Sequence, residues 1–281
     1  MPRVSIALPC YNGELYLAEA LQDLQDQTFR DFEVVVYDNA STDATPAIAQ
    51  RYADADSRFR IVRRSQTVPL FENFRLTLAD FDSEFLMWRA DDDLSAPNYV
   101  ETLLALLQAN PQAALAAAQI RTHKLHKNRI KVRRAPSVPA GRLAGALALI
   151  HWSHPSWIYG LFRREHLQRS YEQALKSLPH TWAVDHATLF PMLVNGQAVV
   201  TNDTHFIQRM GGDPGKAKMA PLSSARQWAI FQAFRLYCAE RVDETDFDAV
   251  SKAVLKASLW RYASKRTFRL GRMLGARVRG A

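Results

Sequence analysis

The first 110 residues alternate short apolar runs with segments in which apolar side chains recur at helical spacing. The apolar runs show no polar alternation, which is typical of strands covered on both faces. They predict four strands, at residues 4–8, 32–37, 58–62 and 84–88. The other segments predict four helices, at residues 14–25, after residue 43, at 70–80 and from residue 95. This order indicates an α/β domain with a mainly parallel sheet flanked by helices.

The second half of the chain is less regular. Apolar periodicity predicts helices at residues 141–150, 183–194, 222–241 and 246–278. Shorter apolar runs predict strands at residues 157–162, 197–201 and 204–209. Glycines and prolines between residues 211 and 221 mark a boundary. We therefore expect one domain over residues 1–215, with halves 1–110 and 111–215, and a helical basic region over 216–281.

The composition is that of a globular protein, with 48% hydrophobic and 23% charged residues in a chain of 281. The two cysteines, Cys10 and Cys238, stand far apart, which argues against a disulfide scaffold and favours a reducing compartment. The N-terminus enters a strand pattern at once, and no apolar stretch reaches the roughly 20 residues of a membrane-spanning helix. We expect a cytoplasmic protein.

The net charge of +8 is concentrated in two blocks, residues 121–134 and 260–281, each with seven basic residues and no acid. Such blocks attract phosphates, although solvated helix or strand faces would look the same. From residue 257 the tail also mixes aromatic and aliphatic side chains with its cations. Residues 257–281 therefore predict peripheral attachment to an anionic inner membrane face. The alternative is a helical lid with a solvated basic face.

Carboxylates follow two of the predicted strands. Asp38 ends the second strand, and Asp91, Asp92 and Asp93 follow the fourth. The carboxyl ends of parallel strands meet at one edge of the sheet, where ligands bind. In an extended segment Asp91 and Asp93 point to the same side and offer hard oxygen ligands for Mg²⁺ or Mn²⁺, usually completed by phosphate oxygens and water. A solvated acidic turn is the simpler alternative.

Three segments in order, residues 4–13, 32–43 and 91–93, resemble glycosyltransferase family 2, whose members have the GT-A fold. The resemblance implies a Rossmann-like catalytic domain and an inverting, metal-dependent transfer. A sugar would pass from a nucleotide-diphosphate sugar to an acceptor hydroxyl on a glycan or lipid-linked glycan. UDP is the expected carrier, with GDP and dTDP as alternatives, and synthesis of bacterial cell-surface polysaccharide is the expected context.

The resemblance also assigns residues of the donor site. Pro9, Tyr11 and Asn12 would hold the nucleoside together with Asp38, which would bind the uracil ring or the ribose, or else act as a turn residue. Asp91 and Asp93 are the ends of the family's Asp-X-Asp motif.

Asp91 would lie towards the sugar or ribose and Asp93 on the metal, and Asp92 would also contact the donor. Arg89 stands where many members have an acid, so we expect it to meet a sugar hydroxyl or a phosphate. Arg209 occupies the place of a basic loop and would help the diphosphate leave.

The acceptor half has its own candidates. The family's catalytic base lies at a helix start beside a tryptophan or another acid, which Asp185 matches, although a helix cap would also explain it. His186 is the second candidate for the base. Trp157 and His154 could line the acceptor sugar, or could belong to the core.

Two other classes of function fit parts of the sequence. A nucleotidyltransferase shares a similar sheet and metal, but the N-terminus lacks its glycine-rich phosphate loop. A nucleic-acid-binding protein would explain the basic blocks but not the acidic run, so we expect no nucleic-acid partner. A relative that has lost its activity would be distinguished only by turnover.

Overall fold

The computed structural model describes residues 2–211 and 222–268. They fall into two compact units. The sheet unit is the described part of Met1–Ala135, Tyr159–Gln168 and Ala198–Gly215. The helical unit is the described part of Pro136–Ile158, Arg169–Gln197 and Lys216–Ala281. The helical C-terminal region therefore shares its unit with two earlier segments, whereas the sequence predicts a division at residue 215.

The sheet unit is a mixed α/β structure. Its helices are α1 Leu17–Gln25, α2 Thr45–Ala55, α3 Leu70–Thr77 and α4 Tyr99–Ala109. Its strands are β1 Val4–Cys10, β2 Phe32–Asp38, β3 Phe59–Arg63, β4 Phe85–Trp88, β5 Leu94–Ser95, β6 Leu115–Lys124, β7 Arg129–Arg133, β8 Leu161–Arg163 and β9 Ala198–Met210. They follow the order β3-β2-β1-β4-β8-β6-β9-β5, with β7 paired to β6.

The first half of the sheet is parallel. β1 pairs with β2 and β4, and β2 pairs with β3, all in parallel. Every residue of β1 and of β4 is buried, as expected for uninterrupted apolar strands between two layers of helices. The predicted α/β architecture is therefore confirmed.

The second half departs from the predicted strands. The two short strands expected after residue 196 are one strand, β9, which runs parallel to β6. The interruption is a bulge, because Ala118 pairs with Thr201 while the next residue, Gln119, pairs with His205. The side chain of Asn202 inside the bulge accepts from the Ala135 backbone N–H at 2.9 Å, which satisfies polar groups that the ladder leaves unpaired.

The strand predicted over residues 157–162 is only partly present. Pro155–Tyr159 forms a 3-10 helix, and the strand β8 begins at Leu161. Two contacts with His154 favour the turn: its carbonyl accepts from the Trp157 N–H at 3.0 Å, and its ring Nδ1 accepts from the Ser156 N–H at 3.2 Å.

Arg89 is part of the core of the sheet unit and has no exposed surface. It pairs with Asp23 of α1, donates to the Ser95 hydroxyl at 3.1 Å, and lies 5.1 Å from the centre of the Phe206 ring. The expected contact of Arg89 with a donor sugar or phosphate is therefore corrected: its charge is neutralised inside the fold, where it joins α1 to the chain after β4.

The helical unit contains α5 Arg142–Trp152, most of α6 Arg164–Ser177, α7 Val184–Val194, α8 Ser224–Asp243 and α9 Ala249–Arg266. The buried Tyr262 ring of α9 packs against Phe190 of α7 and Phe234 of α8, at 5.6 and 5.7 Å between ring centres. The helix predicted over 246–278 ends at Arg266, and residues 269–278 lie outside the described residues. Within the described residues, no helix combines the length and apolarity needed to span a bilayer.

We expect the substitution Asp23→Ala to destabilise the protein by about 3–5 kcal/mol, because it leaves the Arg89 charge buried without its partner. Urea unfolding followed by circular dichroism measures the loss. The double substitution Asp23→Leu/Arg89→Met removes both charges and should recover most of it. An unchanged urea midpoint in Asp23→Ala would contradict the structural role of the pair.

Candidate active site

The ends of three strands meet at one edge of the sheet. Cys10 of β1 is the register partner of Asp38 of β2, and the Arg89 N–H after β4 donates to the Ala7 carbonyl at 2.9 Å. The chain after β4 therefore runs beside the end of β1. As a result, the Cys10 thiol donates to Asp91 Oδ2 at 3.2 Å.

The contact between Cys10 and Asp91 needs a glycine beside it. A Cβ atom on Gly13 would lie 2.6 Å from Cys10 Sγ and 2.7 Å from Asp91 Oδ2. Burial and the neighbouring Asp91 carboxylate raise the pKa of the Cys10 thiol, so the thiol keeps the proton that it donates. Cys10 and Gly13 together fix the position of Asp91.

The loops after β1 and β2 are tied to each other by hydrogen bonds. The Asn12 N–H donates to the Ser41 hydroxyl at 2.9 Å, and the Asn12 side-chain oxygen accepts from the Thr42 N–H at 2.9 Å. The Gly13 N–H donates to Thr45 Oγ1 at 2.8 Å. Asn12 adopts a left-handed backbone with φ 49°, which asparagine tolerates better than most residues. Its amide oxygen therefore supports the loop.

Asp38 is fully buried. Its Oδ1 accepts from the Ser41 N–H at 3.0 Å, and its Oδ2 lies 3.1 Å from Arg63 Nε. The Arg63 side chain is 57% exposed, so it covers the carboxylate from the solvent side. Asp38 Oδ2 forms no hydrogen bond with the described residues, so it could still accept one from a ligand if Arg63 moved aside.

The two remaining nucleoside candidates differ in exposure. Tyr11 is 48% exposed and offers an open ring at the sheet edge. Pro9 lies inside β1 and is buried, so its contact with the base stays a prediction.

Asp93 is buried, with 4% of its surface exposed. Its Oδ1 accepts from the Arg209 backbone N–H at 2.7 Å. Burial, reinforced by the charge of Asp92, raises the pKa of Asp93 to about 7, although the Arg209 hydrogen bond opposes the shift. An ionised Asp93 is therefore costly unless a cation compensates it.

The Arg209 side chain lies against the same acidic run. Its guanidinium donates to the Asp92 carbonyl, and its Nη1 donates to Glu19 at 2.6 Å. It also lies 4.5 Å from the centre of the Tyr16 ring. Arg209 Nη2 is buried without a hydrogen-bond partner among the described residues. This arginine is thus held at the site with one donor unused.

The acidic run meets part of what a divalent cation requires of its ligands. Asp91 and Asp93 supply carboxylate oxygens on one short segment, and burial together with the charge of Asp92 makes an ionised Asp93 costly without a cation. Among the described residues, no group of three or more His, Cys, Asp or Glu side chains is arranged to hold a metal. Two carboxylates suit Mg²⁺ or Mn²⁺ only when phosphate oxygens and water complete the coordination.

Asp185 lies in the first turn of α7, in the helical unit. The helix begins after Ala183, whose left-handed φ of 63° turns the chain, and Asp185 Oδ1 accepts from the His186 N–H at 2.7 Å. Burial raises the pKa of Asp185, while this N–H and the charge of Arg266 oppose the rise. Asp185 is therefore both a helix-start residue and a carboxyl tuned towards neutral pH.

The acceptor candidates of the helical unit are mostly part of its core. Trp157 is 2% and His186 4% exposed, and the His186 ring packs edge-on against Tyr262 with 6.0 Å between the ring centres. Trp157 is therefore a core residue, which is one of its two predicted alternatives. His186 packs in the helical unit, and its role as the second candidate base stays a prediction. His154 is partly exposed, but its Nδ1 accepts from the Ser156 N–H and supports the local turn.

Sequence reasoning missed three residues of the site: Cys10, Arg63 and Glu19. Cys10 and Arg63 stand at strand ends, so the rule that predicted Asp38 could also have identified them. Glu19 lies on α1 and reaches Arg209 across 190 positions of sequence, and no local pattern predicts such a pairing.

Comparison with known proteins adds independent information. The family described as Glycosyl transferase family 2 matches residues 5–170. The putative glycosyltransferase EpsH of Bacillus subtilis is 33% identical over 104 residues, which are 37% of this chain and 30% of EpsH. A Campylobacter jejuni protein, GalNAc(5)-diNAcBac-PP-undecaprenol beta-1,3-glucosyltransferase, is 28% identical over 105 residues, 37% of this chain and 34% of that protein. The chain thus matches about a third of the length of these curated relatives.

Solved structures share the fold. Staphylococcus aureus TarS 1–349 in complex with UDP-GlcNAc has a TM-score of 0.70 and 18% identity, covering 96% of this chain and 74% of that one. The mannosyltransferase PcManGT of Pyrobaculum calidifontis, in complex with GDP-Man and Mn²⁺, has a TM-score of 0.60 and 20% identity, covering 94% and 74%. The family match extends over more than half of the sequence and includes β1, β2 and the acidic run. This chain therefore belongs to glycosyl transferase family 2.

Proposed function

We propose that this chain transfers a sugar, with inversion, from a nucleotide-diphosphate sugar to an acceptor hydroxyl. The observation that carries the proposal is the acidic edge of the sheet, where Cys10 holds Asp91 and the Arg209 N–H holds Asp93. UDP is the proposed carrier, because TarS is described with UDP-GlcNAc, and GDP is the alternative, because PcManGT is described with GDP-Man.

Asp91 and Asp93 would hold a divalent cation, Mn²⁺ or Mg²⁺. When bound, such a cation offsets the negative charge of a diphosphate leaving group. The unused Nη2 donor of Arg209 would bind a phosphate oxygen of the donor. Asp92 would contact the donor sugar, as the resemblance implies.

The nucleoside would stack on the exposed Tyr11 ring. Asp38 would bind the base or ribose after Arg63 has moved, and the 57% exposure of the Arg63 side chain supports such a movement. A ribose hydroxyl or base N–H would then donate to the buried carboxylate in place of the guanidinium.

Asp185 would take the proton of the acceptor hydroxyl as it attacks. Its raised pKa supports this role, because a carboxylate with a raised pKa is a stronger base. A glycan or a lipid-linked glycan is the proposed acceptor, in the synthesis of a bacterial cell-surface polysaccharide. The Campylobacter relative, named for an undecaprenol-linked substrate, supports this class. Membrane attachment through residues 257–281 stays a prediction, and residues 269–281 lie outside the described residues.

Nucleotide sugars should raise the melting temperature of the protein, and Mn²⁺ should increase the shift. A ligand at 100 times its dissociation constant stabilises by about 2.7 kcal/mol, which corresponds to several degrees. Differential scanning fluorimetry with UDP-, GDP- and dTDP-sugars measures this. Asp93→Ala should lose the Mn²⁺-dependent part, whereas Arg51→Ala, exposed on α2, should keep it. Full Mn²⁺-dependent stabilisation in Asp93→Ala would refute the assigned metal ligand.

We expect Asp185→Asn to lower turnover by about 10²–10⁴-fold, because the amide cannot accept the acceptor proton. Donor binding in the thermal-shift assay should be unchanged. In the wild type, kcat/KM should rise with pH through a pKa above that of an ordinary aspartate, since the base acts when deprotonated. Wild-type turnover by Asp185→Asn would leave this residue only its role at the helix start.

Asp93→Asn should stabilise the metal-free protein at high pH. Native Asp93 has its pKa raised from 3.8 to about 7, so between these values it keeps a proton that the unfolded chain releases. Stability therefore falls as pH rises through this window, by at most about 4 kcal/mol for three pKa units. Urea unfolding in EDTA should show little difference between variant and wild type at pH 4 and a more stable variant at pH 8. A less stable variant at pH 8 would contradict the shift.

A further inference from the structure

The basic segment 121–134 forms a hairpin at the sheet, here called the cationic hairpin. It consists of the end of β6, a 3-10 turn at Leu125–Lys127, and β7. Asn128 closes the turn with a left-handed φ of 41°. Five of its cations are exposed, namely Lys124, Lys127, Arg129, Lys131 and Arg134. Arg121 and Arg133 are partly buried.

The charge of the cationic hairpin is not compensated by ion pairs among the described residues. The segment contains no acid, and none of its basic side chains forms an ion pair with a described residue. Lys124 and Arg129 are direct cross-strand partners. Like charges in this position destabilise a hairpin, so the stability of the hairpin does not explain them. A bound anion would relieve this repulsion.

The cationic hairpin also exposes aliphatic side chains. Ile130 is 57% and Val132 50% exposed, and their spacing of two places them on one face of β7. Arg129, Lys131 and Arg133 alternate with them on the other face. Among the described residues, β7 pairs only with β6, so its outer edge is open. The strand therefore offers apolar groups on one face and cationic groups on the other, and both faces can be reached from its outer edge.

We propose that the cationic hairpin docks on an anionic phospholipid surface. The ammonium and guanidinium groups would meet lipid phosphates, while Ile130 and Val132 would enter the apolar layer below the headgroups. A bilayer interface supplies both kinds of partner, whereas a soluble phosphate polymer or a nucleic acid supplies mainly charge. A second copy of the hairpin would bring like charges together.

Protection of an open sheet edge is a competing explanation. Basic residues on an edge strand discourage aggregation, which would account for the cations of β7. It does not account for Lys124 and Lys127, which lie outside β7, or for two aliphatic side chains left exposed on the edge. Lipid docking accounts for all of them.

The docking proposal has a consequence that rests on the proposed function. His123 of the cationic hairpin is the register partner of Arg209, whose guanidinium lies at the acidic edge. Both belong to the sheet unit, so a docked hairpin would hold the donor site close to the lipid surface. A lipid-linked acceptor would then meet the enzyme at the surface where that acceptor resides.

The test is sedimentation of the full chain with phosphatidylcholine vesicles, with and without phosphatidylglycerol. The wild type should bind only the anionic vesicles. The variant Lys127→Glu/Arg129→Glu/Lys131→Glu should bind them at least about tenfold more weakly, since each cation near the surface contributes several-fold. The variant Ile130→Ser/Val132→Ser keeps every charge. Its remaining vesicle binding should be purely electrostatic, so raising the salt concentration should abolish it.

The control is Arg51→Glu/Arg169→Glu/Lys176→Glu, which changes the net charge equally at exposed positions of α2 and α6. It should bind vesicles nearly as the wild type does. If the control lost as much vesicle binding as the hairpin charge variant, net charge alone would explain the effect and the proposal would be overturned. Wild-type binding by both hairpin variants would also overturn it and transfer the attachment to another segment.

A polyanion site without lipid specificity is the remaining outcome. It would appear as tight binding of polyphosphate or RNA that is lost in the charge variant, with Ile130→Ser/Val132→Ser unchanged on vesicles, and it would overturn the lipid assignment. Nucleotide-sugar thermal shifts on the same variants separate the two proposals. Hairpin variants that keep the nucleotide-sugar thermal shift but lose vesicle binding would support docking. A wild type that shows no thermal shift would count against the proposed function and not against docking.

Discussion

The parallel pairing of β1 with β2 and β4 is the constraint from which the candidate site follows. It brings the ends of three strands to one edge, so that polar residues far apart in sequence become neighbours. Asp93 is removed from water there and lies near the charge of Asp92, which is why its pKa is raised. The fold offsets part of that cost with the Cys10 thiol on Asp91, the Arg209 N–H on Asp93 and Arg63 on Asp38.

The sequence predicts this half of the molecule well for a physical reason. Buried parallel strands must be apolar on both faces, so they appear as uninterrupted runs that a short window detects. Once the strands are assigned, the edge rule places Asp38 and the acidic run together without further information. The same rule could have added Cys10 and Arg63, because both stand at the end of a strand.

Partnerships between distant residues explain what the sequence could not predict. Arg89 follows a strand just as Asp91 does, but Asp23 on another element draws it into the core. The sequence around Trp157 looks the same whether the ring stacks on a sugar or lies in the core of the helical unit. Only its packing in the folded chain distinguishes the two roles. The strand β7 has both faces largely exposed, so it lacks the apolar run that marks a buried strand, and the composition of the segment revealed only its charge.

The carboxylates of the acidic edge and the cations of the hairpin lie in opposite environments within the sheet unit. This difference limits the kind of ligand that each group can bind. Asp91 and Asp93 of the acidic edge accept from the Cys10 thiol and the Arg209 amide, and Asp38 is ion-paired with Arg63, so a small group that replaces one of these contacts is favoured. The cations of the hairpin are exposed and form no ion pair with the described residues, so they are open to an extended anionic surface. A buried charge selects a ligand of defined geometry, whereas an exposed charged cluster places weaker demands on the geometry of its partner. A cation with its diphosphate fits the first requirement, and a charged interface fits the second.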